Sequence, residues 1–272
     1  MNNSELLLKN KLADTNISVS AIGLGTVKLG RNQGVKYPTT FKIPSDQEAK
    51  QLLQHAKNLG INLIDTAPAY GNSEERLGPL LKGQRHDWVI CTKTGEEFID
   101  GQSSFNFTPE HTIKSIERSL QRLNTDYLDI VLVHSDGNDL AIIEQYGTLE
   151  VLSDLKKQGK IKAIGMSTKT VEGGLAALKQ ADAVMATHNL SYSGEIEVLD
   201  YAAGHNKAIF IKKALASGHI CSETYDDPVQ ASMDFIFAHS GVTSIILGTI
   251  NPEHMSHNVK CAQHALLRSR NE

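Results

Sequence analysis

The chain has 272 residues, 40% hydrophobic and 21% charged, and its 27 basic and 31 acidic side chains leave a formal charge of −4. This is the composition of an ordinary folding chain; it excludes a disordered polyelectrolyte and a general binder of nucleic acid or anionic membrane, which would need a basic excess. Cys91, Cys221 and Cys261 are odd in number and never form a C-x-x-C pair, so neither a disulfide framework nor a cysteine-type zinc site fits them. The N-terminal MNNSELLLKN has a Leu triplet but no apolar h-region. No apolar run approaches the ~20 residues of a membrane helix, so a soluble, reducing, cytoplasmic protein is expected.

In chain order, residues 1–20 read as a hairpin over the bottom of the fold, split by Ala13-Asp14-Thr15-Asn16. Strand runs follow at 21–25, 61–65, 88–92, 128–133, 161–165, 183–187, 208–211 and 243–247. Several lack apolar/polar alternation, as strands buried on both faces of a parallel sheet do. Helix signals lie between them. Ser45-Asp-Gln-Glu48 is a capping box with Gly60 closing its helix. Thr108-Pro109, Asp227-Pro228 and Asn251-Pro252 are cap–proline starts. After the first of these, Ile113, Ile116, Leu120 and Leu123 are expected on one buried face. Eight strand–helix units in one domain spanning 1–272 predict an α/β fold, a (β/α)8 TIM barrel with an N-terminal β-hairpin; a doubly wound open sheet is the runner-up.

In such a barrel, chemistry sits at the C-terminal strand ends. Asp65 ends the second strand, Tyr70 follows in its loop, Lys93 ends the third and His134 ends the fourth. Each alone has a structural explanation as a cap, a snorkelling amine, a packed ring or a buried histidine. Together they suit proton transfer. A phenol, with a reference pKa of about 10, is made more acidic by a lysine ammonium that an aspartate holds in place. A neutral histidine donating N–H would polarise a carbonyl oxygen.

The segments IDTAPAYGNSEERLG (64–78), VICTKTG (89–95), YLDIVLVHSDG (127–137) and AIGMST (163–168) resemble the aldo-keto reductase superfamily. The similarity extends from GLGT at 23–26 to the helix after SIILGTINPEHMSHN (244–258). The resemblance implies a barrel enzyme that reduces aldehydes and ketones with NADPH, the alternative being NADH (NAD as the oxidised form). Asp65, Tyr70, Lys93 and His134 would be its catalytic tetrad, with Tyr70 as the acid. For the cofactor it implies Gly25 and Thr26 near the nicotinamide ribose beside Asp65, and Ser167 and Thr168 at the carboxamide. Gly248, Thr249, Asn251, His254 and Asn258 would lie at the adenosine and its phosphate, where a helix N-terminus offers free N–H groups. Lys212 and Lys213 would reach the pyrophosphate, or stand in a solvated loop.

The pattern departs from the family at Thr168 (commonly Asn), Met185 (Gln) and Lys212 (aromatic), which predicts altered nicotinamide fixation. It departs again at Gly248 (Lys) and His254 (Arg), which weakens the grip on a 2′-phosphate. Gly23, Gly25 and Gly30 have the wrong spacing for a dinucleotide-binding G-x-G-x-x-G. His254 and His257 are three apart on a helix, but no third ligand is suggested and no metal is expected. The partner is a small carbonyl compound. Phe98, Phe105 and Phe107 in the strand-three loop are candidates for an apolar substrate wall or for packing against the next helix. The short tail after Asn258 predicts an open pocket. Two other readings remain: a Schiff-base lyase using Lys93, and a catalytically weak nucleotide-sensing subunit. The oligomeric state has no sequence signal.

Overall fold

The computed structural model describes residues 7–219 and 225–269; Cys221 lies outside them. Two antiparallel strands come first, β1 (Lys9–Lys11) and β2 (Ser18–Ser20). Next are β3 (Ile22–Gly25), α1 (Val27–Gly30), α2 (Asp46–Asn58), β4 (Leu63–Asp65) and α3 (Ser73–Leu80). β5 (Val89–Thr94) leads into a hairpin of β6 (Glu96–Ile99) and β7 (Gln102–Phe105), then α4 (Pro109–Arg122). β8 (Leu128–His134) is followed by two helices, α5 (Asp139–Glu144) and α6 (Thr148–Lys157). The alternation continues through β9 (Ile161–Ser167), α7 (Val171–Leu178), β10 (Ala183–Thr187) and α8 (Ile196–Gly204). It ends with β11 (Ala208–Lys212), α9 (Pro228–Phe237), β12 (Val242–Leu247) and α10 (Pro252–Arg268).

Strands β3, β4, β5, β8, β9, β10, β11 and β12 pair in parallel and close into a barrel in that order. All eight coincide with the strand runs read from the sequence. The closed order overturns the open doubly wound alternative, because β12 pairs with β3 and leaves no free edge.

Both faces of the barrel wall are apolar. Ile64, Ile90, Val131, Val133, Ile164, Val184 and Ile209 pack outward against the helices. Leu63, Cys91, Ile130, Leu132, Ala163, Ala183, Met185, Ala208 and Phe210 fill the interior, together with Leu12, Ala13, Ile17 and Val19 of the N-terminal hairpin. That hairpin therefore plugs the barrel bottom. At ~1.5–3 kcal/mol for each large side chain fully buried, these two layers dominate the stabilisation.

The cap signals form as the sequence predicts. Ser45 Oγ accepts from Glu48 N while Glu48 Oε2 accepts from Ser45 N at 2.7 Å. Asp227 Oδ1 accepts from Val229 N and Gln230 N, both at 3.0 Å. One helix face differs from expectation. In α4 the buried positions are Thr112, Ser115, Ile116 and Ser119, whereas Ile113 is exposed. Ile116 and Leu123 are buried and Leu120 packs on the core as expected, so Ile113 alone departs.

Candidate active site

Side chains in a strand alternate between faces, so each interior column ends on one residue at the barrel mouth. The apolar columns end on polar groups: Leu63 is followed by Asp65, Cys91 by Lys93, Leu132 by His134, Gly165 by Ser167 and Phe210 by Lys212. Register places His134 beside Ser167, and Met185 beside Ser167 on the other side. These groups line one cavity of about 730 Å³, within the usual size of a small-molecule site.

Tyr70 enters from the loop after β4. That loop is held by a close backbone approach. A Cβ on Gly30 would stand 2.3 Å from the Tyr70 carbonyl oxygen, and one on Gly71, at φ +62, would stand 2.1 Å from the Gly30 carbonyl. Gly30 is thus neither a phosphate-loop glycine nor a spacer; it seats the tyrosine loop.

The four expected catalytic residues converge. Lys93 Nζ donates to Asp65 Oδ1 at 2.5 Å and to the Thr66 carbonyl at 2.9 Å. Tyr70 Oη donates to Asp65 Oδ2 at 3.3 Å, and Lys93 Nζ lies 4.8 Å from the Tyr70 ring centroid. The Tyr70 and His134 rings meet edge to face at 6.3 Å. Asp65 and Lys93 are almost completely buried.

The electrostatics correct one expectation. Burial and then Asp65 raise the Tyr70 phenol pKa well above its ordinary value, and the opposing pull of Lys93 does not overcome them. Burial works against the Lys93 ammonium, yet Asp65, Tyr70 and Cys91 together raise its pKa above the usual lysine value. The buried ion pair with Asp65 favours the ammonium over the free amine that a Schiff base needs.

Glu96, at the start of β6, is a site residue that the sequence reading passed over. Its Oε2 lies 2.7 Å from His134 Nδ1 and its Oε1 accepts from Ser103 Oγ at 2.6 Å. Despite burial, His134, Ser103 and Arg31 bring the Glu96 carboxyl down to about 2. The approach is an ion-pair distance; Nδ1 is buried and has no hydrogen-bond partner among the described residues. Desolvation lowers the His134 pKa, and Glu96 only partly opposes it. A findable signal existed: Asp100-Gly101, both at positive φ, is the strongest short-range mark of a hairpin.

Of the expected cofactor residues, Gly25, Asp65, Ser167, Lys212, Lys213, Gly248, Thr249, His254 and Asn258 line the cavity. Thr26, Thr168 and Asn251 do not. Thr26 is buried, its Oγ1 donating to the Asp65 carbonyl at 2.9 Å. Thr168 offers its carbonyl to Lys212 Nζ, which also donates to Ser167 Oγ at 3.1 Å. Asn251 caps α10, accepting from Glu253 N at 2.8 Å and His254 N at 3.3 Å, so those N–H groups are not free as the sequence reading supposed. Lys28 and Tyr37 also line the cavity, with Lys28 Nζ 4.1 Å from the Tyr37 ring centroid, and both were missed. Phe98, Phe105 and Phe107 are absent from the wall. Phe107 joins the core, Phe105 stacks on it at 6.1 Å, and Phe98 lies under the Arg31 guanidinium.

The residues fit an elongated anionic cofactor. One wall joins the tetrad to His254 and Asn258 of α10, two facing glycines (Gly25 and Gly248) leave room between them, and Lys212 and Lys213 supply positive charge. Ser167 is on the cavity wall beside the Lys212 ammonium, a polar pair placed for a carboxamide. No helix among the described residues is long and apolar enough to cross a membrane.

A family model described as the aldo/keto reductase family matches residues 21–226. The chain is 34% identical over 215 residues to Aldo-keto reductase YhdN of Bacillus subtilis, covering 76% of this chain and 62% of that protein. It is 36% identical over 170 residues to the NADH-specific methylglyoxal reductase of Escherichia coli, covering 58% and 51%. The chain thus spans about half to three-fifths of these curated relatives. A solved structure described as a candidate aldo-keto reductase from Pseudomonas aeruginosa is 53% identical, with a TM-score of 0.88 over 96% of this chain and 97% of that one.

Proposed function

The chain belongs to the aldo-keto reductase family, and from that premise we propose that it reduces aldehydes and ketones to alcohols with a nicotinamide cofactor, Tyr70 being the proton donor. The observation that carries this reading is the convergence of Asp65, Tyr70, Lys93 and His134 on one cavity wall. A bound reduced nicotinamide would supply the hydride. The chain supplies the proton. As the carbonyl oxygen gains charge, Tyr70 Oη gives it a hydrogen and becomes phenolate. Lys93 then opposes the new charge, and Asp65 holds Lys93 in place. A phenol held above its ordinary pKa stays protonated through neutral pH, so the hydrogen is present when the substrate arrives. The substrate oxygen must replace Asp65 Oδ2 as the acceptor from Tyr70. His134, on the same cavity wall, orients that oxygen through a ring N–H.

Ser167, with the Lys212 ammonium beside it, would hold the carboxamide end, and Lys213 the pyrophosphate. NADPH is the family's usual cofactor. NADH use is supported by the α10 residues on the wall, His254, His257 and Asn258, none of which is Lys or Arg, and by the NADH-specific relative. The test is oxidation of NADPH and of NADH with a panel of aldehydes. Turnover with either cofactor, spread over several aldehydes, is expected. Tight cofactor binding without turnover would favour the nucleotide-sensing reading.

A further inference from the structure

Outside the tetrad, three side chains converge near the other end of the same groove. Asp227 precedes α9, while His257 and Cys261 stand four residues apart on α10 and so share one helix face. His257 Nε2 lies 3.1 Å from Asp227 Oδ2 and 3.5 Å from Cys261 Sγ, and Cys261 Sγ lies 3.8 Å from Asp227 Oδ2. The sequence reading had paired His257 with His254 and found no third ligand. The fold brings His257 two partners from another direction.

A proton-relay triad is excluded by the geometry. Such a relay uses both ring nitrogens, one toward the nucleophile and one toward the carboxylate, whereas here the carboxylate and the sulfur both face Nε2. One ring hydrogen cannot satisfy both. The separations match another arrangement: tetrahedral zinc with bonds of about 2.0 Å to N and O and about 2.3 Å to S puts its ligand atoms about 3.3–3.6 Å apart.

We propose that Asp227, His257 and Cys261 form a three-ligand site for a tetrahedral divalent transition metal, zinc by its N, O and S donors. Thiolate and carboxylate balance the two charges of the ion, and the imidazole binds neutral. Cys261 releases its thiol hydrogen to solvent as the metal–sulfur bond forms. The site is prearranged: Val229 N and Gln230 N hold Asp227 Oδ1, leaving Oδ2 for the ion, the kind of outer support that metal ligands require. Cys261 is buried and forms the floor, while the half-exposed Asp227 and His257 leave the fourth position open to solvent. His257 also lines the large cavity, so a ligand there can approach the ion.

The test uses tag-free, chelator-treated full-length protein titrated with Co²⁺, then with Zn²⁺. The expected result is one equivalent of Co²⁺ giving a thiolate charge-transfer band with tetrahedral visible bands, all displaced by Zn²⁺. Cys261→Ser should abolish the charge-transfer band, and His257→Gln should weaken Zn²⁺ binding about tenfold or more. Absence of the band in the unaltered protein overturns the proposal without reference to any variant's folding. So does a band that survives Cys261→Ser.

Discussion

Glu96 Oε2 lies 2.7 Å from His134 Nδ1, and this carboxylate is the charged neighbour that favours the protonated imidazole. The groups facing His134 are Glu96 from β6, Lys93 from β5, Lys212 from β11 and the Tyr70 ring. Desolvation, Lys93 and Lys212 lower its pKa, and Glu96 raises it.

Glu96→Gln removes the one group that favours the imidazolium, so the His134 pKa must fall further. In carbonyl reduction, the limb of the kcat/KM profile set by this group should move to lower pH by about one unit or more. Activity at neutral pH should drop, and cofactor affinity should not change. A profile identical to that of the unaltered protein would show that Glu96 is merely structural.

Gly30→Ala tests how the tyrosine loop is seated. The new Cβ would stand 2.3 Å from two backbone atoms, Tyr70 O and Ser73 N, neither of which can rotate away. Overpacking of this kind costs about 1–3 kcal/mol. A lower Tm and a reduced kcat are expected although residue 30 is not a site side chain. Retention of full kcat would mean that the loop tolerates displacement.

Lys212 gives a second pH signature. Burial lowers its pKa to about 8, with Glu195 opposing and Lys213 adding to the shift. The ammonium is present below that pH and lost above it, so affinity for an anionic cofactor should weaken as pH rises through about 8. Lys212→Met should bind NADPH roughly tenfold more weakly at neutral pH, near ~1.4 kcal/mol for one screened charge, and its affinity should show no step near pH 8. Fluorescence titration of NADPH on either side of that pH measures both.

The barrel was legible because its strands are apolar on both faces and its helices carry cap and proline signals that depend on local chemistry alone. Asp65, Tyr70, Lys93 and His134 were legible because a strand end is a fixed place in such a barrel. What the sequence could not show depends on groups meeting across the fold. Glu96, at the start of the β6–β7 hairpin, meets His134 at the end of β8, and Asp100-Gly101 signals the hairpin turn without saying what it carries. Lys93 lowers the Tyr70 pKa as its sequence placement suggests, but the larger opposing effect of burial has no sequence signature. Asn251 was legible as the cap of α10, but that the same cap occupies N–H groups expected to be free for a phosphate emerges only from its side-chain geometry. Asp227, His257 and Cys261 meet through the packing of α9 on α10, which no spacing reveals.

The most direct measurement is Tyr70→Phe, which deletes one oxygen and keeps the ring. Aldehyde-dependent oxidation of the reduced cofactor should fall by about 10²–10⁴, while the cofactor Kd stays within about twofold of the unaltered value, less than ~0.5 kcal/mol. If turnover persists at the original rate with the phenol gone, Tyr70 does not donate the proton and the proposed chemistry is wrong.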